Sequence, residues 1–171
     1  MISRVLLSTA FLVLGAPAFG GGALPAPGSE TEAQLLARIQ VERNPVKESL
    51  LETRLAGLEL DQAIQAYDQG NLEQGEMLLK VFLGRINDSW RMLRISGQNA
   101  TRNSRGFKEL DIALRTDARR LGDLERSLPY HDREPIEKAG KEVERVRTEV
   151  LGELFPRSQM TAPAKPPAKT D

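Results

Sequence analysis

The chain has 171 residues, carries 24 Lys and Arg against 24 Asp and Glu, and contains no cysteine. Zero net charge is unlike a nucleic-acid binder, whose basic surplus answers the phosphate backbone. The lack of cysteine removes disulfides, thiol catalysis, thiolate metal sites and the acylated cysteine of a bacterial lipoprotein.

In chain order, Arg4 precedes an apolar run from Val5 to Leu14, and small residues follow in Ala16-Pro17-Ala18 and Ala18-Phe19-Gly20. This is the layout of a secretory signal peptide over residues 1–20, cut after Ala18 or Gly20. The run is half of the roughly 20 residues that span a bilayer, so membrane contact is expected through this segment alone. The expected address is the periplasm or the outside of the cell, with an uncleaved membrane-tethering anchor as the alternative. Residues 21–30, rich in Gly and Pro, form a flexible spacer.

From residue 31 the signals are helical. A short first helix covers Thr31–Val41, with Ser29 as candidate cap. Asn44-Pro45 opens a long helix, asparagine as N-cap and proline at the first position. Its apolar stripe (Val46, Leu50, Leu51, Leu55, Leu58, Ile64, Tyr67) runs at helical spacing to Gln69, where Gly70 ends it. Asn71 caps the next helix, whose stripe runs through Leu72, Leu78, Leu79, Phe82, Ile86, Trp90 and Leu93 to a stop at Gly97. Residues 97–106 are a polar connection. A further helix, capped by Asn103 or Ser104, carries Phe107, Leu110, Leu114, Leu121, Leu124 and Leu128 as far as Pro129. Asp132 is the expected cap of the last helix, with Pro135 in its first turn. Ile136, Ala139, Val143, Val146, Val150, Leu151, Leu154 and Phe155 form its expected buried face, and Pro156 stops it. Residues 157–171 read as a disordered Pro/Ala/Lys tail.

Aromatic residues are only 5% of the chain, so the core must be aliphatic. Four long amphipathic helices joined by short turns bury their stripes against one another. The predicted fold is all-α: an antiparallel up-down four-helix bundle over residues 31–156 with a short extra helix at its N-terminal side.

One segment resembles a known motif. In Ala63–Leu79, the positions of Tyr67, Gly70, Leu72, Gly75 and Leu79 are similar to the helix–turn–helix crossing of a tetratricopeptide repeat. The resemblance covers 17 residues, has no second copy at a period near 34, and runs into a helix longer than the repeat's. It therefore implies a tight helical hairpin and no peptide-binding array. The whole chain also resembles small exported all-helical bacterial proteins, which implies export and a helical fold.

No motif for chemistry stands out. The single histidine, His131, lies in a turn with neither cysteine nor second histidine to share a metal. Carboxylates such as Glu142 and Glu149 alternate with Lys138, Lys141, Arg145 and Arg147, as on a salt-bridged solvated face. Gly-x-Ser-x-Gly and phosphate-cradling glycine loops are missing, so the chain is read as non-enzymatic and without cofactor or metal. Trp90, in step with Ile86 and Leu93, reads as core.

Charge is unevenly spread. Residues 30–79 hold ten acids and four bases, whereas residues 85–108 hold six bases and only Asp88. Arg91, Arg94, Arg102, Arg105 and Lys108 gather around the connection before the third long helix, whose N-terminal N–H groups add positive potential. That is a candidate anion site; the alternative is pairing with Asp88 and the acidic helix.

Two functions follow as expectations. The first is an exported, non-catalytic interaction or scaffold protein of the cell envelope, whose partner is an envelope or secreted protein or a second copy of itself. It calls for surplus apolar residues off the stripes, with Leu51, Leu60, Val81, Leu83, Met92, Ile112 and Phe155 as candidates. The second is an anion-binding protein holding an acidic envelope polymer or a phosphate group at the arginine cluster.

Overall fold

The computed structural model describes residues 30–156, and these are all-helical: α1 (Glu32–Val41), α2 (Pro45–Asp68), α3 (Leu72–Ile95), α4 (Arg105–Ser127) and α5 (Glu134–Leu154). One 3-10 turn, Tyr130–Asp132, links the last two, and no strand occurs among the described residues. The expected signal peptide, the spacer through Ser29 and the tail from Arg157 lie outside the described residues.

Side-chain chemistry sets most of the boundaries. The Asn44 Oδ1 accepts from the backbone N–H groups of Val46 at 3.0 Å and Lys47 at 3.2 Å. Pro45 follows at the first helical position, where its missing N–H has no partner to lose. Gly70, at φ 77°, turns the chain, and Asn71 caps α3 by accepting from Gln74. Gly97, at φ 64°, ends α3 in the same left-handed conformation, which a side chain would strain.

Three expected caps are corrected. Thr31, not Ser29, starts α1: its hydroxyl accepts from the Gln34 N–H and the Gln34 side chain accepts from the Thr31 N–H, a reciprocal capping box. Ser104 sits at the α4 N-cap in helical conformation and makes no side-chain cap bond. Asp132 is held in the 3-10 turn by a bond from its N–H to the Pro129 carbonyl at 3.0 Å, which leaves Arg133 at the α5 N-cap.

The four long helices form two layers. In the first, α2 and α3 run antiparallel, with Ser49 bonded to Ser89 and Glu52 to Arg85. In the second, α4 and α5 do the same, joined by Asp111 and Arg147. Across the layers the neighbours run parallel. Gly106 at the start of α4 sits against Val46 at the start of α2, and Arg120 further along α4 meets Asp61 of α2. Likewise Asn87 and Trp90 of α3 meet Glu142 and Glu149 of α5 in rising order. The polar connection of residues 96–104 therefore carries the chain diagonally from α3 to α4, which touch little.

Phe82, Leu60, Ile86, Leu93, Leu110, Leu114 and Val143, all fully enclosed, fill the space between the layers. The short α1 lies outside on α2, where Leu35 packs with Leu51 and Leu55 in a small separate cluster. Leu51 is thus covered and Leu60 is core, so neither is surplus. Leu83 leans on the core, while Phe155, expected on the buried face, is exposed because α5 ends one residue before it.

The α2–α3 hairpin depends on one close approach. A Cβ on Gly75 would lie 2.6 Å from two ring carbons of Tyr67, so the ring occupies the space that only glycine leaves open. The Tyr67 hydroxyl is buried without a partner, and burial pushes its pKa up to about 12. Gly75→Ala is expected to cost about 1–3 kcal/mol in urea unfolding because the ring must move. Tyr67→Phe, which removes the orphan hydroxyl and keeps the ring, is expected to raise stability by about 1 kcal/mol.

Candidate interaction surface

Every seam between neighbouring long helices carries a polar cross-tie. Glu52 of α2 meets Arg85 of α3 at 3.4 Å. Asp111 of α4 meets Arg147 of α5 at 3.0 Å and Arg115 of its own helix at 3.1 Å. Arg120 of α4 lies between Asp61 of α2 and its own helix's Asp117. On the α3–α5 seam the Trp90 indole N–H donates to Glu149 at 2.8 Å, and Arg145 donates to Glu142, Glu149 and Asn87. The Arg145 hydrogen bonds hold the Glu142 carboxyl below its ordinary range.

The predicted arginines do not form one pocket. Arg91 and Arg94 line a groove of about 530 Å³ between α3 and α5 together with Trp90, Ile95, Arg145 and Glu149; Arg102, Arg105 and Lys108 do not line it. Arg91 pairs with Asp88 at 2.8 Å and Arg105 with Glu109 at 2.9 Å. Arg145 already has its donors on two carboxylates and an amide. Of the three groove arginines, only Arg94 has no ion pair among the described residues. The groove's cations are largely balanced by Asp88, Glu142 and Glu149, so its net field is weak.

The outer side of α3 borders this groove at Arg91 and Ile95 and has a different character along the rest of its length. Met77, Val81, Gly84, Asp88, Arg91 and Ile95 follow one another at steps of four and three residues, which puts them on one line along the helix. Leu79, Phe82, Ile86 and Leu93 point the other way, into the core. Met77 is 57% exposed, Val81 38% and Ile95 64%, and no described helix covers them. Among the other candidates, Ile112 is exposed on α4 and Met92 is half-buried. A second groove, of about 520 Å³, lies at the N-terminal end of α3 and is lined by Glu73, Glu76, Met77 and Lys80.

Sequence reasoning named Val81 but missed Met77 and Ile95. The signal was available: once the buried stripe of α3 is assigned, the residues half a turn away are those of the outer line. It also missed the Arg145–Glu149–Trp90 tie, for which no signal existed, because α5 stands 59 residues from Trp90 in sequence. His131 is exposed in its turn beside Asp132. Among the described residues no three His, Asp or Glu side chains gather as a metal site, and no helix is long and apolar enough to cross a membrane.

No protein-family model, curated protein or solved structure matches the chain.

Asp117 gives the seams a pH dependence. It is buried on α4, with Arg120 Nη1 at 3.6 Å, and burial pushes its pKa up to about 6 against the pull of Arg120. The folded state therefore favours the neutral acid. This stabilisation is complete below about pH 4 and is lost as the pH rises through about 6. Asp117→Asn, neutral throughout, is expected to flatten that part of the profile and to stabilise the protein at pH 7.5 by on the order of 1 kcal/mol. Urea midpoints at pH 4, 5, 6 and 7.5 check it.

Proposed function

We propose that this chain is an exported, non-catalytic interaction module of the cell envelope, a stack of two antiparallel helical hairpins that offers the outer face of α3 to a protein partner. The observation that carries this reading is the run of exposed apolar side chains, Met77, Val81 and Ile95, on a single line facing away from the core. Apolar groups placed there add nothing to the internal packing, whereas an interface would bury them. The polar side chains that chemistry would need are already engaged in holding helices together, which favours a binding role over a catalytic one.

The test is capture from the cell's own envelope extract, washed in low and then high salt, with the native chain and with Met77→Glu/Ile95→Glu. A defined protein that survives high salt on the native chain is expected to be lost, at least tenfold, from the variant. Melting temperatures are expected to match, because both positions are solvent-exposed. Equal retention on both chains, or none on either and no self-association, ends the reading.

An anion-binding role is the second reading. It is supported by Arg94, Arg102 and Lys108, none of which has an ion pair among the described residues. It predicts that polyphosphate binding weakens steeply between 0.05 and 0.5 M salt, on the order of tenfold or more, and is lost in Arg94→Ala/Arg102→Ala/Arg105→Ala. Unchanged binding in that variant ends it.

A further inference from the structure

We infer that the partner on this face is a second copy of the chain, with the two α3 helices paired antiparallel about a two-fold axis between Gly84 and Asp88. The inference rests on the interaction-module reading and names its occupant.

Spacing comes first. Residues 77, 81, 84, 88, 91 and 95 alternate steps of four and three, the repeat that keeps one line of a helix against a partner helix. Both ends of the line are apolar and its middle is small or charged. Antiparallel pairing about the centre sets Met77 against the second copy's Ile95, and Val81 against the alkyl stem of its Arg91. It also sets Gly84 opposite the second copy's Asp88.

Charge selects the same arrangement. On α3 itself Glu73 and Glu76 sit in the first two turns, whereas Arg91 and Arg94 sit in the last two. Antiparallel helices lay the acidic end of each copy on the basic end of the other. Lys80, the cation at the acidic end, then stands one turn from the second copy's Asp88. A parallel pair would set Asp88 on Asp88 and Arg91 on Arg91, with like charges facing throughout.

A groove of about 520 Å³ lies at the N-terminal end of α3 and one of about 530 Å³ towards its C-terminal end. Met77 borders the first and Ile95 the second, so in the antiparallel pair each groove stands beside the apolar side chain of the other copy. Gly84 fits as well. A glycine inside an exposed helix costs about 1 kcal/mol relative to alanine. A Cβ at Gly84 would meet nothing within 4 Å, so internal packing does not call for a glycine there. Near the axis of a helix pair, its absent side chain lets the backbones approach.

Such a contact is the same surface on both copies, so it closes as a dimer instead of growing into a filament. One helix per copy makes a small interface, on the order of 1,200 Å² or less in total, which corresponds to weak and salt-sensitive association.

The experiment is sedimentation equilibrium of the chain purified after export, up to on the order of 100 micromolar, at 0.02 and 0.5 M salt. The native chain is expected to be a monomer–dimer mixture whose dimer weakens at least tenfold in high salt. Glu73→Lys/Glu76→Lys and Arg91→Glu/Arg94→Glu are each expected to be monomeric alone and to form a dimer when mixed, because mixing restores opposite charges at both ends. Orientation is read by mild oxidation, for which the cysteine-free chain provides a silent background. Met77→Cys and Ile95→Cys chains should join to each other when mixed and not to themselves. A native chain that stays monomeric at low salt, a dimer indifferent to the charge variants, or cross-linking of either cysteine variant with itself would overturn the inference. If the native chain is monomeric yet loses a captured envelope protein on Met77→Glu/Ile95→Glu, self-pairing fails while the interaction-module reading stands.

Discussion

The parallel stacking of two antiparallel hairpins is the constraint on which the rest of the molecule depends. A core with so few aromatic residues has little bulk to lock one layer against the other, and Leu, Val and Ala pack acceptably in more than one register. Register is therefore set where polar groups cannot slip without losing partners. Asp61 with Arg120 fixes α2 on α4, and Trp90 with Glu149 fixes α3 on α5. The Trp90 ring also meets Phe107 edge-on at 6.3 Å, which joins the start of α4 to the same corner. A slip of one turn would leave the buried Trp90 indole N–H unpaired, at about 1–3 kcal/mol, and would break the exposed Asp61–Arg120 pair, which is worth less.

This use of charge decides how the basic region behaves. As a string of residues, positions 85–108 are strongly cationic. In the folded chain Arg85 is drawn to Glu52 and Arg91 to Asp88, while Arg105 pairs along its own helix with Glu109. Exposed pairs of the latter kind are individually weak, and their effect here is to cancel potential more than to add stability. Of the bases left without an ion pair among the described residues, Arg94 lines the α3–α5 groove, while Arg102 lies in the connection and Lys108 on α4. The asymmetry survives at longer range, along α3, whose N-terminal end is acidic and whose C-terminal end is basic. That polarity suits the helix dipole and marks the two ends of the face as electrostatic complements.

α3 thus has two unlike sides. Its inner stripe supplies Phe82, Ile86 and Leu93 to the core, and its flanks touch α2 and α5. Its outer line is met by no described helix and carries the largest run of exposed apolar side chains on a single element. α2 differs in this respect, because the short α1 packs over Leu51 and Leu55.

Most helix boundaries were legible in the sequence because caps and stops are local chemistry. Asn44-Pro45, Gly70-Asn71 and Gly97 act through hydrogen bonds and backbone angles within a few residues. The misses were also local: a capping box beat a lone serine at Thr31, and the 3-10 turn after Pro129 took Asp132 out of the cap position. The buried stripes, and so the all-helical fold, followed from the 3.6-residue period. Which helices stand side by side did not, since apolar stripes are interchangeable and the ties that choose between them join residues 36 to 59 positions apart. The same limit governs the candidate site. Composition located the arginines, but only the tertiary structure decided which were neutralised, because ion pairing is settled by distances that the order of residues does not contain.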